Sequence, residues 1–151
     1  MQDFTPEQRQ KLLDAPILVM QNVMGVDGAG FINSLRESKA ALDWVREAMQ
    51  DVAENLLVQE AGQHFLDLVG AGGTDLPDTP TLAAFFAEID HVVALIANDP
   101  DGLDYRAFLY ILGERVAGAA GTGFLGRGER VSEEEGAVLQ ALRAKLGLNE
   151  E

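Results

Sequence analysis

The chain has 151 residues, 47% of them hydrophobic, a formal net charge of −14 and no cysteine. That is the size of one domain, able to bury about 70% of the surface its unfolded form exposes. The charge repels phosphate backbones and anionic membranes and so excludes nucleic acid as a partner class, while the missing cysteines exclude disulfides and thiolate metal sites.

No apolar run is long enough to cross a bilayer, and Met1-Gln2-Asp3-Phe4 has neither the basic nor the apolar region of a signal peptide. A single cytoplasmic domain over residues 1–151 is therefore expected.

Thr5-Pro6-Glu7-Gln8 places a capping hydroxyl before a proline at the first helical position, with Gln8 three residues after the cap. Pro16 is expected to break the resulting helix near Asp14, which then caps a second helix from Ala15 to about Met24. The apolar residues of that second helix, Ile17 to Met20, Val23 and Met24, surround most of it and predict a central position. Three glycines between positions 25 and 30 form a loop. Ser34 and Glu37 read as a capping box opening a helix through Ala41, Leu42, Val45 and Met49, with Trp44 packed or at an edge.

An acidic stretch to Glu54 leads into another helical pattern, Val52 to Val69. Residues 70–78 are the plainest loop, and Thr79-Pro80 repeats the cap-then-proline signal. Leu82, Phe85, Phe86, Ile89, Val93 and Ile96 then form one apolar stripe at helical spacing. Asn98 to Gly102 ends that helix. The next runs from Leu103 or Asp104 to about Ala120, where Gly113 and Gly118 weaken it or admit a close neighbour. After a glycine-rich turn, Ser132 and Glu135 make a capping box for a last helix through Val138, Leu139, Leu142 and Leu146, with Gly147 as its C-cap. Nothing alternates with period two. The expected fold is all-α, a single-domain bundle of about six to eight helices.

Two segments share one order of parts: apolar helix, glycine-rich loop, capping box, amphipathic helix. They span 14–49 and 104–146 and flank middle helices in 50–103. A shift of 97 positions aligns Ala40, Leu42, Val45 and Met49 with Ala137, Leu139, Leu142 and Leu146, and a shift of 98 aligns the capping boxes.

The stretch from Gly128 through the acidic run Glu133-Glu134-Glu135 to Leu139, followed by Leu142 to Gly147, resembles the tellurite-resistance TerB-like family. That resemblance covers about half the chain and implies a non-enzymatic binding or scaffold protein linked to stress response. It also implies a divalent cation, such as calcium or magnesium, at the acidic loops. Asp27, Glu37, Glu134 and Glu135 would supply its oxygen ligands if the two loops meet. Arg127 stands where the family has aspartate. Helix capping accounts for Glu37 and Glu135 without a metal. The alternative is a metal-free helical interaction module that self-associates or binds a basic partner protein.

Other constellations are weaker. Asp101 to Phe108 looks like the tail of a calcium-binding loop, but Ala107 stands where a bidentate glutamate belongs, so a turn capped by Asp101 or Asp104 is expected instead. Glu88 and His91 have the spacing of a di-metal helix, yet His91 falls on the face opposite the apolar stripe and no second such pair exists. Nothing in the sequence points to a reaction.

Overall fold

Proline inside a helix removes one hydrogen bond and crowds the preceding turn, yet Pro16 lies within one continuous helix, α1 (Pro6–Gly25). In this computed structural model the described residues are 4–25, 31–70, 81–120 and 133–148. Side chains are described for all of these except 24–25, 31–38, 118–120 and 133–135. They form six helices and no strand, continuing with α2 (Phe31–Asp51), α3 (Leu56–Gly70), α4 (Leu82–Leu95), α5 (Gly102–Ala120) and α6 (Glu133–Lys145). The chain is an all-α bundle, as its periodicity predicts. No helix among the described residues is long and apolar enough to cross a membrane.

The start of α1 has the expected reciprocal box: Gln8 N–H donates to Thr5 Oγ1 at 3.1 Å, and Thr5 N–H donates to Gln8 Oε1 at 3.0 Å. The expected break at Asp14 is not there. Without a backbone N–H, Pro16 cannot reach the Leu12 carbonyl four residues back, and the buried Tyr105 hydroxyl of α5 donates to that carbonyl instead. Asp14 is not a cap either. Its carboxylate accepts from Gln10 at 3.0 Å and meets His64 Nε2 of α3 at 3.1 Å.

Helix α1 is central and touches all five others. Ala15, Pro16, Ile17, Val19, Met20 and Val23 are buried, which is why its apolar residues run round most of its circumference. The closest partnership elsewhere is α2 with α5. These run antiparallel, with Asp51 beside Asp104 and Trp44 stacked on Phe108 at 5.3 Å between ring centroids. Fully buried Phe65, Phe85, Ile89, Leu109 and Leu142 fill the space between layers, each side chain stabilising by about 1.5–3 kcal/mol. Two glycines let helices approach. A Cβ on Gly113 would lie 3.0 Å from Leu139 Cδ2 and 3.3 Å from Val19 Cγ1, and one on Gly62 would lie 2.7 Å from Met49 Sδ.

Several boundaries differ from expectation. Helix α2 begins at Phe31, so Ser34 and Glu37 lie inside it and not at its start, the helix having propagated through 31–33. The division within 50–58 falls at Asn55, whose Oδ1 accepts from Val58 N–H at 2.9 Å. Thr81 rather than Thr79 caps α4, accepting from Ala84 N–H at 3.1 Å from an extended backbone. On α4 the buried stripe is Phe85, Ile89, Val92 and Ile96, while Leu82 is 40% exposed and Val93 only half-buried. Gly147 ends α6 as expected. At φ 71° it lets its own N–H reach Ala144 O and the Leu148 N–H reach Arg143 O, satisfying two terminal carbonyls.

Candidate functional site

Where α2 ends, α3 starts and α5 starts, three backbone termini converge, and polar side chains bind them together. Asn55 is buried. Its Nδ2 donates to the Asp101 carbonyl at 3.1 Å while its Oδ1 caps α3. The Asp101 carboxylate accepts from Leu56 N–H at 3.1 Å and so sits at the positive end of the α3 dipole. Asp101 N–H in turn donates to Asp99 Oδ1 at 2.9 Å, closing the turn into α5. The expected turn cap at Asp101 is thus spent on a different helix, 45 residues earlier in the chain.

Outside this knot lies an open depression of about 500 Å³ whose walls include Asp51, Glu54, Asp101 and Asp104 together with Gln50 and Asn55. Among the described residues no lysine or arginine lines it. Asp51, Glu54 and Asp104 are exposed, so their charges are solvated and add to one negative field.

A second hollow, of about 280 Å³, continues from it along the α2–α5 seam and shares Asp51, Val52 and Asp104. Its walls are otherwise mainly apolar: Trp44 and Ala48 from α2, and Ala107, Phe108 and Ile111 from α5. Arg115 closes the far end and is exposed. A groove with an apolar middle, an anionic end and a cationic end can bind a side-chain stripe and orient it, but it holds no nucleophile–base pair.

Of the residues expected to ligate a cation, Asp27 lies outside the described residues. Glu37 is in α2 and Glu134 and Glu135 are in the first turn of α6, but their side chains are not among those described. The distance between the two acidic loops is likewise outside the described residues. Among the described residues no three histidine, aspartate or glutamate side chains are grouped to hold a metal ion. Glu88 pairs with Lys11 at 3.0 Å and His91 is exposed, while His64 is engaged with Asp14, so the two histidines serve no shared centre.

Sequence reasoning missed the groove. Its signal was the acidic stretch ending at Glu54 together with the Asp99–Asp104 run, two segments about 50 positions apart that only the α2–α5 pairing brings side by side.

No family model matches the chain, and neither a curated protein nor a solved structure matches it.

Proposed function

We propose that the chain is a non-enzymatic binding protein whose acidic junction of α2, α3 and α5 receives a basic partner protein. The observation that carries this reading is the depression lined by Asp51, Glu54, Asp101 and Asp104, with no lysine or arginine in its walls among the described residues. Four surface carboxylates elsewhere are matched, Asp43 with Lys39 and Arg46, Glu60 with Arg9, Glu88 with Lys11 and Asp90 with Lys145. A concentration of one sign raises the encounter rate of oppositely charged partners and rejects anionic ones. Divalent-cation binding at Asp27, Glu37, Glu134 and Glu135, and a stress-related role, rest on the TerB-like resemblance alone.

The test is titration of the intact chain with lysine-rich and glutamate-rich peptides of equal length at two salt concentrations. The lysine-rich peptide is expected to bind, and to bind less tightly as salt rises, because exposed charges are screened over about 8–10 Å at physiological ionic strength. Absence of binding at low salt, or equal binding of both peptides, overturns the proposal.

A further inference from the structure

The groove beside the acidic depression specifies its occupant more closely than charge does. Trp44, Val52, Phe108 and Ile111 supply an apolar wall, and the short side chains of Ala48 and Ala107 give it depth. Asp51 and Asp104 stand at one end and Arg115 at the other. Asp104 and Arg115 are eleven positions apart on one helix, a span of roughly 16 Å or three helical turns. We infer that the α2–α5 groove docks a short amphipathic helix of a partner protein, one apolar stripe against Trp44 and Ile111, with its basic N-terminal residues over Asp51 and Asp104. This rests on the basic-partner reading and adds a shape, a length and a direction to it.

The direction follows from electrostatics. A helix carries partial positive charge at its N-terminus and partial negative charge at its C-terminus. Laid along the groove with its N-terminus at Asp104, it meets complementary charge at both ends. Apolar residues three and four apart supply the stripe that such grooves accept.

A second copy of this chain is a poor occupant. Each copy carries −14, and the described cations Arg9, Lys11, Lys39, Arg46 and Lys145 are already paired with carboxylates of their own chain. Of the other cations whose side chains are described, Arg106 and Arg143 donate to backbone carbonyls and Arg115 belongs to the groove itself.

The experiment uses the full chain, whose single tryptophan, Trp44, lies in the groove and reports its occupancy by fluorescence. Three tryptophan-free peptides of about 14 residues are titrated: one with leucines at helical spacing and lysines and arginines in its first two turns, one with the same composition scrambled, and one with the basic residues moved to the C-terminal turns. The first is expected to shift Trp44 emission to the blue and to bind about tenfold more tightly than the scrambled peptide, and more tightly than the reversed one. Ala107→Arg, a good helix former on a half-buried position, is expected to weaken it about tenfold by filling the groove and opposing the charge. Circular dichroism of Ala107→Arg, unchanged from that of the parent chain, controls for folding.

Equal binding of the ordered and scrambled peptides overturns the groove while leaving the basic-partner reading standing. Equal binding of the ordered and reversed peptides overturns the direction. Failure of all three at low salt overturns both readings. Sedimentation showing a dimer that Ala107→Arg disperses would assign the groove to a second copy and overturn the inference.

Discussion

The Tyr105 hydroxyl stands in for the backbone N–H that Pro16 lacks: it donates to the Leu12 carbonyl, four residues before the proline, from a helix 93 positions further along the chain from Leu12. Tyr105 is fully buried, so this hydrogen bond has no water to replace it. Tyr105→Phe should therefore cost about 1–3 kcal/mol by leaving the carbonyl orphaned. In a Pro16→Ala background the alanine N–H can reach Leu12, and the same substitution should cost about 1 kcal/mol less. Urea denaturation of the four variants measures the coupling. An unchanged cost in the two backgrounds would show that the hydroxyl does not compensate for the proline.

Alkaline pH tests the same contact by another route. Burial, and secondly the Asp14 carboxylate, push the Tyr105 hydroxyl far above its ordinary range. The folded chain then keeps a proton that the unfolded chain releases near pH ~10. The unfolded state binds fewer protons above that pH, so Tyr105's contribution is constant below it and is lost as pH rises towards the folded value. Tyr110 is also raised, first by partial burial and then by Glu114. Tyr105→Phe should reduce, and not abolish, the fall in stability above pH ~10, as thermal melts across that range would show.

Asp101 caps α3 from outside α3. Asp101→Ala should destabilise the fold by about 1 kcal/mol, as loss of an N-terminal cap does, and Asp101→Asn by less because an acceptor oxygen remains. The local readout is amide exchange at Leu56, whose N–H is 3.1 Å from the Asp101 carboxylate. Faster exchange at Leu56 in Asp101→Ala than in Asp101→Asn is expected.

The two close-approach glycines should respond differently to alanine. At Gly113 the new Cβ meets Leu139 and Val19, both buried, and at Gly62 it meets the thioether of Met49, which is half-buried and can turn aside. Alanine gains about 1 kcal/mol of helix propensity at either site. Gly113→Ala should still be the more destabilising, and Gly113→Leu should cost about 1–3 kcal/mol or more. Midpoints of chemical denaturation order the variants.

Helix existence was legible because apolar spacing on α3, α4 and α5 is local information. Boundaries were legible where the capping group is also local, as with Thr5 and Gln8 or Gly147. They were misread where the deciding partner is distant in sequence. Pro16 reads as a break only while Tyr105 is out of view, and Asp101 reads as its own helix's cap only while Leu56 is. The groove was hidden for the same reason. Trp44 and Ile111, or Asp51 and Asp104, share no periodic pattern, and the antiparallel pairing of α2 and α5 that joins them is a tertiary fact. The cation ligands proposed from Asp27, Glu37, Glu134 and Glu135 depended on a resemblance, and their side chains fall outside the described residues.

Two missing polar partners in the first half of the chain, at the Leu12 carbonyl and at the Leu56 amide, are both provided from within the five residues Asp101 to Tyr105. During synthesis the first hundred residues precede both partners, so the Leu12 carbonyl and the Leu56 amide depend on water until this stretch follows. A nascent chain stalled before Asp101 should remain sensitive to protease, and one stalled after α5 has emerged should become resistant over α1 and α3 together.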